Sequence, residues 1–359
     1  MKVLIICGTY PPIKCGVGDY TFNLAKALTK IPSLRVGVLT SVNARDEARI
    51  DDGVQLFPVI DRWDFGSLGK IIKIINLYAP DLIHIQYPAF GYQASLMTAL
   101  PFILKFKNIP IVQTWHEHVN ECTMVGWKNL LACNALIYVR YDFISKLSTL
   151  MKFLIKKVPN CYIPNATVIP PVRLSETQRV GLKKEISLDK KIVCFFGFAN
   201  PNKGLEHLFE VVDPIKFHLL LICELDPLNS YQNVILEKAK NYKWANNVTI
   251  TGYLSEQDIG ELFSVVDAAV FPFPGGAGSW NSSLKAAQAS GIFTLATSAD
   301  SNKCGYDPNL NTYYVPCDAI NSMPSILEVY AGRRIGINLI NEWDAIALEH
   351  YSVYRECLI

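Results

Sequence analysis

Short apolar runs rich in Val, Ile and Leu recur through the first half of the chain, at 3–7, 36–39, 54–59, 82–86, 111–115 and 136–139, and each gives way to a turn or an amphipathic stretch. Runs of this length bounded by turn signals read as strands buried on both faces, and their alternation with helical segments predicts a doubly wound parallel sheet. A second set follows at 192–198, 217–223, 248–251, 268–273, 293–296 and 313–315. Between the sets, Pro159, Pro164, Pro170 and Pro171 mark an interdomain connection. The pattern predicts an α/β chain of two Rossmann-like domains, 1–172 and 173–335, with a terminal segment at 336–359. The length of 359 residues agrees, because it exceeds what one ordinary core organises.

Ligands of open parallel sheets bind beyond the carboxyl ends of the strands. That singles out 8–20 (GTYPPIKCGVGDY), 86–92 (QYPAFGY) and 116–118 (HEH), and two such domains facing each other would place the default site in the cleft between them. Gly16 and Gly18 precede a helix whose Phe22, Leu24, Ala25 and Leu28 face inward. A dinucleotide fingerprint needs Gly-x-Gly-x-x-Gly directly after the strand. Here seven residues separate Gly8 from Gly16 and the third glycine place is Thr21, which disfavours a dehydrogenase.

In the second half the stretch 249–298 holds a short strand ending at Gly252, an amphipathic helix (Ile259, Leu262, Phe263, Val266), a strand at 268–273 and the loop PGGAGSWNSS, which opens into another helix. Gly275, Gly276, Ala277 and Gly278 let a ligand approach the backbone, and Ser282 and Ser283 suit a helix cap. A helix start of this kind attracts anions, although the same residues also suit an ordinary strand-to-helix turn. Lys203-Gly204 stands before the helix of the strand at 192–198. It reads either as an exposed loop lysine or as the partner of a bound phosphate. Two anion-suited helix starts, near Gly204 and near Ser282, favour a diphosphate ligand.

Composition narrows the field further. Half the residues are apolar, and a net charge of +2 with a pI near 7.9 argues against a polyanion such as nucleic acid as the organising partner. Ten cysteines lie scattered without a CxxC pair or Cys/His ligand spacing, which predicts reduced, buried thiols in a cytosolic protein. The opening MKVLIICGTYPP is read as a first buried strand rather than a signal peptide, and no apolar run reaches the ~18 residues of a membrane span. Between 122 and 175, seven Lys and Arg face a single acid, Asp142. Within that region, 143–157 places Phe143, Ile144, Leu147, Leu150, Met151 and Leu154 on one helical stripe with Lys146, Lys152, Lys156 and Lys157 outside it. Such a helix either lies on anionic lipid or packs its stripe on the first sheet. There is no Gly-x4-Gly-Lys-Ser/Thr loop for a nucleoside triphosphate, and no Asp-x-Asp; the nearest lookalike is Glu224-Leu-Asp226 at a strand exit.

Taken in order, these loops resemble the GT-B fold of nucleotide-sugar-dependent glycosyltransferases, and in particular the retaining family four group that includes bacterial polysaccharide and lipopolysaccharide enzymes. YPPIKCGVGDYTFNLAKAL resembles that group's N-terminal glycine loop and first helix; HIQY (84–87) and TWH (114–116) resemble its acceptor segment and active-site histidine. FGFANPNKGLEHL resembles its phosphate-lysine loop, VTITGYLSEQDIGELFSVVDAAVFPF its base-binding region, and INEWDAIALEHYSVYRECL its terminal helix that crosses back onto the first domain.

The resemblance implies a metal-independent, cofactor-free retaining transfer from a UDP- or GDP-sugar to a glycan or lipid-linked acceptor in surface polysaccharide synthesis. It implies a cytoplasmic protein, with peripheral contact to the inner membrane face through 143–157. His116 and Lys203 are then catalytic; Gly16, Gly18, Gly204, Gly278, Ser279, Ser282, Ser283 and Leu284 bind the donor and its phosphates. Tyr253 and Leu254 line the base pocket, and Gln86, Tyr87, Tyr92, Glu117 and His118 lie on the acceptor side. His116 would sit beside the donor sugar, its other reading being a histidine that caps the core. The chain departs from the family where two glutamates usually stand, since Gly278 and Ala286 occupy those places, and where an arginine often follows the phosphate-loop glycine, since Phe198 is there. Two further readings therefore remain beside the transferase: a sugar-nucleotide epimerase or hydrolase on the same fold, and a silent nucleotide-sugar or glycan-binding scaffold.

Overall fold

A computed structural model describes residues 1–44, 53–87, 99–117, 124–187, 189–278, 280–338 and 341–358, with the backbone alone at 124–127. The chain forms two compact units, the first made of Met1–Ala166 with Asn341–Ile359 and the second of Thr167–Ile340. The division falls before the position read from the prolines, because Ile169 already packs in the core of the second unit.

In the first unit, β1 (Lys2–Ile6), β2 (Arg35–Ser41), β3 (Gln55–Ile60), β4 (Leu82–Tyr87), β5 (Ile111–Trp115), β6 (Ala135–Tyr138) and β7 (Asn160–Tyr162) form one sheet in the order β3-β2-β1-β4-β5-β6-β7. Every pairing is parallel. All of β4 and β5 is buried, which is why these strands read as unbroken runs rather than alternating ones. The strand order reverses between β1 and β4. Strand β7 was not expected inside the proline-rich passage; an edge position with exposed ends tolerates the flanking prolines.

The segment 143–157 is not one helix but two, Phe143–Lys146 and Thr149–Ile155. Ser148 interrupts it, because its hydroxyl accepts from Met151 N at 3.3 Å and caps the second piece. The break takes Leu150 off the expected stripe and leaves it 63% exposed, while Phe143, Leu147, Met151 and Ile155 turn into the core.

The C-terminal helix, Glu342–Glu356, belongs to the first unit and buries Trp343, Ile346, Ala347, His350 and Tyr354. Its partner is the first helix, Gly16–Thr29: the Tyr20 and Trp343 rings meet edge to face with centroids 5.2 Å apart. Lys30–Asp344 (2.6 Å) and Ser33–Tyr351 (2.8 Å) close the exposed margin.

In the second unit, β8 (Lys191–Phe196), β9 (Phe217–Ile222), β10 (Val248–Ile250), β11 (Ala268–Phe271), β12 (Thr294–Ser298), β13 (Gly305–Asp307) and β14 (Thr312–Pro316) lie in the order β10-β9-β8-β11-β12-β14-β13. Only β13 runs antiparallel; it pairs with β14 across a short hairpin and, at three half-buried residues, left no apolar run to read. Here the order reverses between β8 and β11. The described cysteines are all free thiols; Cys7, Cys194 and Cys223 are buried and the others only half-buried.

The helix Glu256–Val265 sits so close to the start of this unit that a Cβ at Gly260 would lie 2.5 Å from the Pro170 carbonyl oxygen and 2.7 Å from Val172 Cγ2. Gly260→Ala gains about 1 kcal/mol of helix propensity. It meets backbone that cannot step aside, however, and overpacking of this kind costs about 1–3 kcal/mol. A net loss of about 1 kcal/mol is expected, read as a lower urea midpoint at unchanged slope; a higher midpoint would show that the contact is not tight.

Candidate functional site

Parallel pairing puts the loops that follow β1, β4 and β5 on one edge of the first sheet, and the reversal between β1 and β4 opens a crevice there. Gly16 is the first residue of the helix that follows β1; Cys15 holds the cap position without a side-chain bond, so no described side chain caps this helix start. Gly18 lies against the β1 loop, where a Cβ would stand 3.3 Å from Thr9 C, O and Oγ1. The Thr9 hydroxyl itself is buried without a hydrogen-bond partner, an unmet polar group beside a helix start that sequence reading passed over.

His116 follows β5 directly and is half-buried. Its backbone N–H donates to Tyr87 O at 2.9 Å, its Nε2 lies 2.7 Å from Gln86 Oε1, and the Tyr20 ring meets it edge to face with centroids 4.7 Å apart. Gln86 and Tyr87, expected to face an acceptor, are instead interior residues of β4. Gln86 is fully buried, and the Tyr87 ring packs on Trp115 in the core. Alternation along β4 would have placed them on opposite faces, but both faces of this strand are covered. Glu117 is exposed. Tyr92, His118 and Ser279 lie outside the described residues.

Three histidines meet behind this crevice. His350 of the C-terminal helix donates or accepts at Tyr20 OH (3.2 Å) and Ile346 O (2.8 Å), and His84 of β4 lies 2.6 Å from Tyr354 OH and 2.8 Å from Thr114 Oγ1. Burial pushes His116 down to about 3 and His350 to about 4, and holds His84 well below the ordinary range, with His350 adding repulsion to the other two. All three are neutral at pH 7. Among the described residues no group of three His, Cys, Asp or Glu side chains could hold a metal ion.

In the second unit the same topology sets the loop after β8 beside the loop after β11. Pro201–Lys203 and Leu205–His207 are 3-10 turns on either side of Gly204, which takes φ +63°, and the helix that follows, Leu208–Val211, has one turn only. The expected helix-start anion site near Gly204 is therefore absent. Gly204 is required for another reason: a Cβ there would collide with the Pro272 carbonyl oxygen. This close approach brings Lys203 against the second loop, with Nζ 4.5 Å from the Phe273 ring centroid.

From there the glycine loop is pinned to β12, Ala277 N donating to Thr297 O at 2.8 Å and the Thr297 hydroxyl donating to Phe273 O at 2.6 Å. Gly276, at φ +77°, leaves no room for a side chain against the Ala299 amide. The helix is Ser282–Ala289, so Ser282 and Ser283 occupy its first turn and Asn281 holds the cap position. Asn281 Oδ1 accepts from Gly278 N at 2.8 Å instead of from the helix, which leaves the amides of Ser282, Ser283 and Leu284 without a side-chain cap. Ser283 and Leu284 are buried, and the Ser283 side chain approaches Gly197 at the end of β8. Trp280 was also missed: its indole lies over Gly278 and fills the space a side chain there would need. Ala286 is fully buried in the core of the unit. Tyr253 (64% exposed) and Leu254 (half-buried) follow β10, on the carboxyl edge of the same sheet.

Two seven-stranded, parallel-dominated sheets with alternating helices are the architecture of the GT-B fold, and known structures bear this out. Sucrose-phosphate synthase from Thermosynechococcus elongatus superposes with a TM-score of 0.75 at 20% identity, over 99% of this chain and 98% of that one. HepE of Anabaena, in complex with UDP-glucose, gives 0.67 at 16% identity over 99% and 98%. The catalytic domain of starch synthase IV from Arabidopsis thaliana, bound to ADP and acarbose, gives 0.69 at 13% over 99% of each chain. No family model matches the chain, and no curated protein matches it in sequence. The chain has the GT-B fold, and its structural neighbours are glycosyltransferases.

The buried histidines make a prediction about stability. Unfolded, each would take up a proton near pH 6.5; folded, His116 and His350 stay neutral to about 3 and about 4. The folded state thus loses stability as pH falls below about 6.5, by about 2 kcal/mol at pH 5 for each histidine that stays neutral. Urea titrations at pH 7.5 and pH 5 are expected to show that drop, and equal stability at the two values would contradict it.

Proposed function

We propose that the chain is a retaining, metal-independent glycosyltransferase that moves a sugar from a UDP- or GDP-sugar to a glycan or lipid-linked glycan acceptor in surface polysaccharide synthesis. The observation that carries this is the apposition in the second unit of a lysine loop and a glycine loop, enforced by the contact of Gly204 with Pro272 and leading to a helix start without a side-chain cap. A cation and several free amides within one crevice suit a diphosphate. The HepE neighbour is a complex with UDP-glucose, and that fits the same ligand class.

In this reading the bond between the anomeric carbon and the diphosphate oxygen breaks, and charge gathers on the departing phosphate. Lys203, the Ser282–Leu284 amides and those near Gly16 and Gly18 stabilise that charge. The acceptor oxygen bonds to the anomeric carbon on the same face, and its proton passes to the leaving phosphate. His116 lies beside the donor sugar, Tyr253 and Leu254 beside the base, and Glu117 toward the acceptor.

A silent nucleotide-sugar-binding scaffold is the second reading, favoured by Trp280 over Gly278 and by the core position of Ala286, the two places where the related group carries glutamates. Two experiments separate them. UDP or GDP is expected to raise the melting temperature where ADP and NAD do not, a ligand at a hundred times its dissociation constant adding about 2.7 kcal/mol. Lys203→Ala is expected to reduce transfer by about 10²–10³ with the melting profile of the free protein unchanged. Nucleotide binding without any transfer, in wild type as in variant, would favour the scaffold.

The membrane contact rests on the second helix of 143–157, where Leu150 and Phe153 (58% exposed) stand among Lys146, Lys152, Lys156 and Lys157. Among the described residues no helix is long and apolar enough to cross a membrane. Flotation of the full chain with vesicles containing anionic lipid, and not with neutral ones, is expected; equal recovery with both would remove the contact.

A further inference from the structure

The contacts around His116 continue inward through Gln86 to the C-terminal helix. Gln86 Oε1 lies 2.7 Å from His116 Nε2, and its Nε2 lies 3.5 Å from His84 Nε2. His84 Nδ1 lies 2.6 Å from the hydroxyl of Tyr354, a residue 270 positions further along the chain. Gln86, His84 and Tyr354 are buried.

The polarity of an amide turns these distances into proton positions. Its oxygen only accepts, so His116 must carry its proton on Nε2, and neutral His116 then has a lone pair on Nδ1. The amide nitrogen only donates, so the His84 nitrogen facing it must be the lone-pair nitrogen; the 3.5 Å contact is a long bond, but two N–H groups facing each other there would repel. The Thr114 hydroxyl, 2.8 Å away, donates to the same nitrogen. His84 therefore carries its proton on Nδ1 and donates it to the Tyr354 oxygen. Rotating the Gln86 amide by half a turn would reverse both rings at once: His116 would hold its proton on Nδ1, and His84 on Nε2 with Tyr354 as the donor. One amide couples two histidines.

His350, the remaining ring in the cluster, is fixed independently. Its Nδ1 faces the Ile346 carbonyl and must donate, and its Nε2 accepts from Tyr20. The groups around the relay are thus His350, Tyr20 and Tyr354, all buried and all neutral at pH 7, and no charged side chain takes part in these bonds.

We propose that Gln86, oriented by His84 and through it by Tyr354 of the C-terminal helix, is the positioning residue that fixes the proton of His116 on Nε2. His116 Nδ1 is thereby kept as an acceptor, the form that suits a sugar hydroxyl. The consequence for catalysis rests on the transferase reading above, whereas the proton positions do not.

The test is a long-range proton–nitrogen correlation spectrum of the full chain with ¹⁵N-labelled histidine at pH 7, with signals assigned by single His→Gln variants. Wild type is expected to show His116 protonated at Nε2, and His84 and His350 at Nδ1. Tyr354→Phe, which keeps the ring and removes only the oxygen, is expected to move the proton of His84 to Nε2 and that of His116 to Nδ1. Gln86→Leu is expected to release His116 into a mixture of the two forms. Finding His116 protonated at Nδ1 in the wild type overturns the proposal, and so does a His116 signal that neither variant changes. Where transfer is measured, Tyr354→Phe should lower kcat about tenfold with the donor KM unchanged. If the proton moves in Tyr354→Phe and transfer does not fall, the positioning stands and the role of His116 beside the donor is what fails.

Discussion

Parallel pairing is the constraint from which the rest follows. Two parallel strands cannot be joined by a tight turn, so the chain must cross over a face of the sheet between them, usually as a helix. Both faces are then covered, and every loop that leaves a carboxyl end emerges along one edge. Where the order reverses, between β1 and β4 in one unit and β8 and β11 in the other, neighbouring strands send the chain to opposite sides. The crevice left at each reversal receives the loops that hold Gly16, Gln86, Lys203 and the glycine loop.

Within the first unit that edge carries an uncommon amount of buried polarity. A neutral histidine in an apolar interior has one nitrogen that must donate and one that must accept, and leaving either unmet is costly. His84 and His350 meet the requirement with groups brought from far along the chain, Tyr354 and Tyr20 among them. The C-terminal helix is therefore part of the interior of this unit as well as a cover on its first helix. The same neutrality links the unit's stability to acid pH.

In the second unit the requirement is close approach. Gly204 and Gly276 stand where a side chain would strike backbone, and their contacts hold the lysine loop and the glycine loop in one place. Asn281 turns its side-chain oxygen to the loop rather than to the helix, so the bond that shapes the loop also leaves the helix start without a side-chain cap. Trp280 over Gly278 belongs to the same arrangement. The loop that resembles a glutamate-bearing one is filled here by an indole.

The strands of both sheets were legible in the sequence because burial on two faces writes itself as an unbroken apolar run, and Ile111–Trp115 could be read to the residue. Strands β7 and β13, short and half-exposed at sheet edges, write no such run. The helix break at Ser148 was hidden for a related reason: apolar spacing continues across it, and a single hydroxyl decides it. Residue types at the carboxyl ends likewise pointed to His116, Lys203 and the glycine loop. What each does locally was decided only by tertiary structure. Gln86 and Tyr87 became interior groups, Gly204 a close contact rather than a helix start, and Thr9, Tyr20, Trp280 and Tyr354 joined the sites without any local signal. Hydrophobic periodicity is a property of neighbours along the chain, whereas a hydrogen bond between His84 and Tyr354 joins residues 270 positions apart, and nothing in the local pattern of either one specifies it.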